Sequence, residues 1–249
     1  MYKQLAKKVL KETGFQTKKD RTRTEGENKE IGAIFDFVLD SLGAGHCQSG
    51  AQLKQDVFAL IANDFKKRGF FVEFGAADGV ELSNTLLLER DYNWTGILAE
   101  PDQSWQADLR KNRRCILDHR CVWNETGKRM NFISAGGLST MEATLDSSRL
   151  DRKDIGNNRV VSIDTVSLTD LLKEHSAPKV IDFLSIDTEG SELDILSAFD
   201  FSEYNFNAIA VEHNYGSQRE DIQKLLAHAG YRRVFDFVSR WDDWYIPEK

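Results

Sequence analysis

Acidic residues stand at the ends of short apolar runs in this sequence, in a pattern that suits binding of a nucleoside. Glu73 belongs to the apolar run 70–74, and the small residues of 75–79 follow it. Glu100 ends a second apolar run about twenty residues beyond this loop. Small residues leave the backbone open to a ligand, and a carboxylate can accept hydrogen bonds from both hydroxyls of a ribose. The two runs therefore predict neighbouring parallel strands whose carboxyl ends hold a nucleoside.

The glycine spacing in this loop indicates which kind of nucleotide binds. Three residues separate Gly75 from Gly79, whereas a site for a hydride-transferring dinucleotide has the pattern G-x-G-x-x-G. The spacing favours a single nucleoside carrying an amino-acid tail. Two other classes stay open at this point: a nucleotide-dependent oxidoreductase, and a non-catalytic module that binds a nucleotide or a sugar.

Two later apolar runs also end in acids, and they predict the chemistry. Asp187 ends the first run and Glu212 ends the second, with Glu189 and His213 close behind. The carboxyl ends of parallel strands meet at one sheet edge, where Glu189 or His213 can act as a general base on a hydroxyl. In the alternative, Asp187, Glu212 and His213 hold Mg²⁺ or Mn²⁺, and Glu189 takes the proton. Each also has a purely structural interpretation, Glu189 as a helix cap and His213 as a core histidine.

Composition limits the classes of partner. The chain has 249 residues, a net charge of −7 and a pI near 5.4, so it lacks the basic field that holds nucleic acid. Its three cysteines, Cys47, Cys115 and Cys121, have no Cys-x-x-Cys spacing and indicate neither a disulfide framework nor a zinc site. No run resembles a signal peptide or a membrane span. The cytoplasm is the expected compartment.

The first 47 residues form a separate segment, and residues 48–249 form one α/β domain. Residues 1–30 are rich in lysine and arginine and read as a solvated leader, a lid, the arm of a homodimer or a contact for an anionic partner. Apolar residues recur at helical spacing in 31–42 and 53–61, which predicts a helical cap on the sheet. A leader of this composition contributes little to the core.

Beyond the glycine loop, predicted strands and helices alternate, which is typical of a doubly wound parallel sheet. The pattern predicts a third strand at 114–122, a hairpin of 128–133 with 158–163, and a mobile loop at 134–141. Ser167 is expected to cap a helix over 168–174, and Ser217 with Glu220 to form a capping box. A hairpin of 232–238 with 244–246 ends the chain. The other expected elements are helices 84–90 and 104–111 and strands 179–187 and 208–212.

Three blocks of residues 48–249 resemble the FkbM family of S-adenosylmethionine-dependent methyltransferases. The first combines residues 70–79 with the triplet 83–85 and the strand 96–101, and the second is 166–172. The third and most specific is 183–192, which contains an Asp, a Glu-Gly pair and a second Glu; residues 211–214 add the ending of strand five. One departure is Ser185, where the family commonly has lysine.

The resemblance implies a Rossmann-like class I methyltransferase: a mostly parallel seven-stranded sheet with helices on both faces and an N-terminal helical cap. It implies O-methylation, most often of a sugar hydroxyl in a glycan or natural product, with a peptide or small metabolite as the alternative acceptor. The expected catalytic residues are Asp187, Glu189 and His213. The residues expected to contact S-adenosylmethionine are Glu73, Phe74, Gly75, Ala76, Asp78, Gly79, Asn84, Glu100, Pro101, Cys121, Val122 and Asp187.

Overall fold

The computed structural model describes residues 49–147, 158–236 and 239–248. In chain order, its first elements are α1 (Gln55–Ala62), β1 (Phe70–Phe74), α2 (Leu86–Tyr92), β2 (Thr95–Ala99), α3 (Gln106–Asn112), β3 (Ile116–Asp118), β4 (Cys121–Trp123), β5 (Arg129–Ser134) and β6 (Thr140–Met141). The later elements are β7 (Arg159–Ser167), α4 (Leu168–Glu174), β8 (Val180–Ile181), β9 (Phe183–Ile186), α5 (Glu192–Ser197), β10 (Asn205–Phe206), β11 (Ile209–Glu212), α6 (Arg219–His228), β12 (Tyr231–Val234) and β13 (Asp242–Pro247).

A seven-stranded sheet in the order β12-β13-β11-β9-β1-β2-β3 forms the centre of the fold. The strands from β11 to β3 are parallel, and β13 runs antiparallel to both β11 and β12. Six of the seven strands thus run in one direction, so the sheet is mostly parallel as expected, and β13 makes it a mixed sheet. Because β9, β1 and β2 are adjacent and parallel, their carboxyl ends meet at one edge of the sheet.

Apolar residues cover both faces of this sheet, as expected for a buried strand. Along β1, Phe71 packs with α1 and α2 on one face, while Val72 and Phe74 pack with α4, α5 and α6 on the other. Alternate residues of a strand point to opposite faces, so Glu73 points to the same face as Phe71. The prediction of helices on both faces is confirmed, and Glu73 becomes a buried carboxylate that needs hydrogen-bond donors.

A second, four-stranded sheet in the order β4-β7-β5-β6 is built from residues 121–167. The predicted third strand, 114–122, is wrong as a single element: β3 joins the main sheet and β4 pairs with β7. The chain turns between them because the Asp118 carboxylate accepts a hydrogen bond from the backbone N–H of Arg120. The predicted hairpin is confirmed as the antiparallel pair β5–β7. The predicted loop 134–141 contains a 3-10 turn, Gly136–Leu138, and strand β6.

The predictions for the remaining segments have mixed outcomes. The helix expected at 31–42 lies outside the described residues, and the one expected at 53–61 is α1, so the N-terminal helical cap is not confirmed. Ser167 caps α4 by accepting a hydrogen bond from the backbone N–H of Asp170. The capping box at Ser217 is wrong, because α6 begins at Arg219 and has no side-chain cap. Within the described ranges, no helix is both long and apolar enough to cross a bilayer.

Candidate active site

A cavity lies at the carboxyl ends of β1, β2 and β9, with about 1030 Å³ of empty space counted out to the open solvent at its mouth. Nine of the residues expected to bind the cofactor line it: Glu73, Phe74, Gly75, Asn84, Glu100, Pro101, Cys121, Val122 and Asp187. The second sheet contributes a wall, which includes Phe132, Gly136, Gly137, Ser139 and Met141. Gln52, Gln55, Glu81, Leu82, Glu189 and Trp241 line it as well.

The glycine loop brings two strand ends into direct contact. Gly75 has φ +75°, and a Cβ atom there would lie 1.9 Å from the carbonyl oxygen of Asp187. Only glycine fits this position without displacing the backbone of the strand that carries the second acid. The predicted importance of Gly75 thus has a physical cause, which is the close approach of β1 and β9 rather than open space for a ligand.

Three other residues of the loop shape it and do not line the cavity. The Asp78 carboxylate accepts hydrogen bonds from the backbone N–H groups of Val80 and Glu81. A Cβ at Gly79 would lie 2.6 Å from the Arg113 side chain, so this glycine allows the loop to pack against that arginine. Ala76 is buried in the hydrophobic core. Ala76, Asp78 and Gly79 thus have roles in the turn, and their contacts with the cofactor stay a prediction.

Glu100 is held at the end of β2 by two backbone groups. Its Oε2 accepts a hydrogen bond from Ala77 N at 2.9 Å, and its Oε1 accepts one from Asp102 N at 2.8 Å. Burial raises the pKa of Glu100 to about 7, and these two hydrogen bonds act in the opposite direction. The carboxylate faces the cavity with a fixed orientation, and each of its oxygens keeps a second lone pair for a ligand hydroxyl.

A buried charge network connects Glu73 to the triplet 83–85. The carboxylate of Glu73 accepts hydrogen bonds from Asn84 N at 2.7 Å, from Ser83 Oγ at 3.2 Å and from Thr85 Oγ1. The fully buried Arg113 guanidinium lies 3.8 Å from Glu73 and bonds Glu89 at 2.6 Å. Glu73 therefore organises the cavity wall, and Arg113, which the sequence did not reveal, neutralises it.

Asn84 presents an unsatisfied acceptor at the cavity. Its Nδ2 donates to the hydroxyl of Ser185 at 2.9 Å. Ser185, which stands where the family commonly has lysine, is thus hydrogen-bonded to a residue that lines the cavity. Asn84 is 7% exposed, and its Oδ1 has no hydrogen-bond partner among the described residues. Buried polar atoms are rarely left unpaired, so this oxygen is an exception in the cavity wall.

Three carboxylates converge where β9 and β11 end. One oxygen each from Asp187, Glu189 and Glu212 lies within 4.8 Å of the other two. Burial raises the pKa of Asp187, and the charge of Glu189 acts in the same direction, whereas a hydrogen bond with the Glu212 side chain acts against it. Two hydrogen-bonded carboxyl groups share one proton, so the cluster carries less negative charge than its composition suggests.

His213 lies apart from this cluster. Its Nδ1 accepts a hydrogen bond from Tyr215 N at 2.9 Å, and its Nε2 lies 3.6 Å from the Asp243 carboxylate. Burial lowers the pKa of His213, which favours the neutral ring. The structure brings Asp187 and Glu212 together as expected but places Glu189 with them in place of His213. The reason is the turn after β11, which points the imidazole toward β13.

The loop that carries Glu189 is fixed from several sides. Glu189 has φ +55°, in the left-handed region that a residue with a side chain rarely adopts. The Thr140 hydroxyl donates to the Glu189 carbonyl oxygen at 2.7 Å. The Glu192 carboxylate accepts hydrogen bonds from Thr188 N at 2.9 Å and Gly190 N at 3.1 Å. The helix-capping interpretation therefore fits Glu192, while Glu189 keeps its place at the cavity.

The fold and the cavity together define a class of protein. A nucleoside-type loop follows the first strand, an acid follows the second, and further acids follow the fourth; this arrangement on a sheet with one reversed strand is that of a Rossmann-like methyltransferase. The family model for the methyltransferase FkbM domain matches residues 73–233. The chain belongs to the FkbM methyltransferase family, and membership of this family implies S-adenosylmethionine as the methyl donor.

Solved structures with a similar fold include a methyltransferase FkbM from Methylobacillus flagellatus KT. It is 15% identical over 87% of this chain and 60% of its own, with a TM-score of 0.42. A precorrin-6y C5,15-methyltransferase from Geobacter metallireducens GS-15 is 12% identical over 72% of this chain and 71% of its own, with a TM-score of 0.39. A methyltransferase from Pyrococcus furiosus is 14% identical over 76% and 79%, with a TM-score of 0.37. A comparison with curated proteins gives no significant match.

Proposed function

We propose that the protein transfers the methyl group of S-adenosylmethionine to a hydroxyl of a sugar, in a glycan or a glycosylated natural product. One observation carries the proposal: Gly75 and Glu100, which form the nucleoside end, line the same cavity as Asp187 and Glu189. A methyl donor bound at one end and a hydroxyl bound near the carboxylates would then meet in line. Alignment of this kind supplies much of the rate enhancement in methyl transfer.

The residues present fit the donor. The Glu100 carboxylate suits the two ribose hydroxyls. Cys121 and Val122 offer an apolar surface for the adenine, although β4 brings them there instead of the predicted third strand. When bound, S-adenosylmethionine supplies an electrophilic methyl group, and the chain's own residues align the acceptor and take its proton.

The lining of the cavity supports an uncharged acceptor. In the described part of the chain, the lining contains the acids Glu73, Glu81, Glu100, Asp187 and Glu189 and no lysine, arginine or histidine. A phosphate or carboxylate group in the acceptor would meet no compensating cation there. The side-chain amides of Gln52 and Gln55 and the indole of Trp241 are groups that bind neutral hydroxyl-rich ligands through hydrogen bonds and ring faces.

Two mechanisms for removing the hydroxyl proton are compatible with the cluster, and we favour the one without a metal. In it, Glu189 accepts the proton as a general base, and the single proton shared by Asp187 and Glu212 lowers the repulsion around it. In the other, Asp187, Glu189 and Glu212 hold Mg²⁺ or Mn²⁺, for which an all-oxygen donor set is suitable, and the cation lowers the pKa of the hydroxyl. Convergence of the three oxygens within 4.8 Å supports that second arrangement.

The test supplies methyl-tritiated S-adenosylmethionine and an extract of the source organism separated into carbohydrate, protein and small-metabolite fractions. We expect label in the carbohydrate fraction with the wild-type enzyme and at least a hundredfold less with Glu189→Gln. Label confined to protein or to sugar-free metabolites would contradict the sugar acceptor. Full activity after exhaustive EDTA treatment would exclude the metal, whereas activity restored only by Mg²⁺ or Mn²⁺ would exclude the metal-free base.

A further inference from the structure

Glu189 occupies a backbone conformation that its own residue type does not favour. Its φ of +55° places a side-chain-bearing residue in the left-handed region, and such a residue persists there only when surrounding contacts determine it. Glycine would adopt the same conformation without strain. The sequence nevertheless has a carboxylate here, with Gly190 as its neighbour, so the contacts around the loop must hold this carboxylate in place.

One of these contacts comes from the second sheet. The Thr140 side chain is fully buried, and its hydroxyl donates to the Glu189 carbonyl oxygen at 2.7 Å. Thr140 lies on β6, opposite Ile133 of β5. On the other side of this peptide, the Glu192 carboxylate accepts hydrogen bonds from the amides of Thr188 and Gly190. Hydrogen bonds from Thr140 and to Glu192 therefore fix the carbonyl group of Glu189 and the two amides beside it.

We propose that Thr140 is a positioning residue for Glu189: its hydroxyl holds the Glu189 peptide in the left-handed conformation that points the carboxylate into the cavity. The inference rests on the proposed role of Glu189 in removing the acceptor proton. It makes the second sheet part of the catalytic apparatus, because the donor of this hydrogen bond belongs to that sheet. A misplacement of a reacting group by about 1 Å can lower the rate of an enzyme about a hundredfold.

The same segment is attached to the cofactor end of the cavity. The Asp102 carboxylate, which directly follows the Glu100–Pro101 strand end, accepts hydrogen bonds from Ser134 Oγ at 2.6 Å and Ser139 Oγ at 3.1 Å. Residues 134–140 therefore connect Asp102, close to Glu100, with the proposed base Glu189. The hydrogen bonds of Asp102 to this segment help to fix the position of Thr140, and they do not involve Glu189.

Two substitutions at one position test the proposal. Thr140→Val keeps the size and branching of the side chain and removes the hydroxyl, and Thr140→Ser keeps the hydroxyl. We expect Thr140→Val to lower kcat for methyl transfer to the labelled carbohydrate fraction by tenfold to a hundredfold, with unchanged affinity for S-adenosylhomocysteine. Thr140→Ser should restore at least half of the wild-type kcat.

Thr165→Val is the matched control. Thr165 is a buried threonine of the second sheet, on β7, and its hydroxyl donates to the Glu125 carbonyl oxygen at 2.6 Å instead of the Glu189 peptide. We expect this variant to keep the wild-type kcat. Wild-type turnover in Thr140→Val, or equal losses in Thr140→Val, Thr140→Ser and Thr165→Val, would overturn the proposal, since each outcome shows that the hydroxyl has no specific role.

A structural readout needs no acceptor. Crystal structures of Thr140→Val and Thr140→Ser with S-adenosylhomocysteine should show Glu189 outside the left-handed region in the first and at its original φ in the second. An unchanged φ at Glu189 in Thr140→Val would overturn the proposal even if turnover falls. If the wild-type enzyme labels no carbohydrate, the proposed function fails, while the position of Glu189 in these crystals still decides the structural step.

Discussion

Replacing Arg113, which directly follows α3, with methionine should destabilise the protein more than any exposed substitution on that helix. The guanidinium is fully buried; it bonds Glu89 at 2.6 Å, Thr85 Oγ1 at 2.9 Å and Ser83 Oγ at 3.0 Å, and lies 3.8 Å from Glu73. Methionine fills a similar volume without the charge. The substitution therefore removes the cation and leaves the carboxylates of Glu73 and Glu89 without their counter-charge.

The magnitude follows from the burial of the network. Removing one partner of a buried ion pair costs about 3–5 kcal/mol, because an uncompensated charge stays in the interior. Glu89 is partly exposed, and water can solvate it, so we expect a loss near the lower limit, about 3 kcal/mol. For a chain of this size each kcal/mol lowers Tm by about 2–4 °C, which gives a decrease of roughly 6–12 °C.

Urea unfolding followed by circular dichroism measures this loss, and Arg110→Met is the control. Arg110 lies on α3, just before Arg113 in the chain, but is exposed. Its bonds to Gln106 and His119 are on the surface, so the expected change is within about 0.5 kcal/mol. Adding Glu73→Gln to Arg113→Met should recover part of the loss. Equal stabilities for Arg113→Met and Arg110→Met would refute the argument that the network is a buried one.

Three further predictions concern the cavity and pH. Gly75→Ala should abolish binding of S-adenosylhomocysteine in calorimetry, because its Cβ would lie 1.9 Å from a backbone oxygen, whereas Gly137→Ala, which meets nothing within 4 Å, should bind normally; equal affinities would contradict this. Burial raises the pKa of Glu100 to about 7, so the affinity for S-adenosylhomocysteine should increase as the pH rises through 7, and Glu100→Gln should show a flat profile; a pH-independent wild type would argue against a bound ribose there. Burial also raises the pKa of Asp56 and Asp242 to about 6. Between about pH 4 and 6 the folded state therefore binds more protons than the unfolded state, and the free energy of unfolding should fall as the pH rises through this window. Urea titrations at pH 4.5 and 7 measure the change, and Asp56→Asn should reduce it.

Local sequence signals placed several of the predicted site residues at the cavity. Gly75 and Glu100 each directly follow an apolar run, and each run by itself predicts a strand that ends there. Cys121 and Val122 reach the cavity as predicted but by another route, since a polar turn at Asp118 splits the expected strand. A three-residue strand has too short a pattern to separate it from its neighbour in sequence.

Contacts between distant parts of the chain could not be predicted. Arg113 meets Glu73 across 40 positions of sequence, and Thr140 meets Glu189 across 49; no local spacing encodes such pairs. His213 was expected to join the acids because it follows Glu212, but adjacent residues of an extended chain point in opposite directions. The sequence therefore predicted the sheet edge where the acids meet, whereas tertiary structure determines which of the side chains at that edge converge.

The second sheet has a consequence for how such an enzyme can change its acceptor. Its strands come from the single stretch 121–167, and the two ends of that stretch lie side by side, with Cys121 paired to Thr165 and Trp123 to Ser167. Every strand of the seven-stranded sheet lies outside the stretch. Segments whose ends are adjacent can be exchanged with little disturbance to the rest of a domain. Recombination of this one stretch would replace a wall of the cavity, together with Thr140, Cys121 and Val122, as an inherited unit, while Gly75, Glu100 and the acids that end β9 and β11 stay the same.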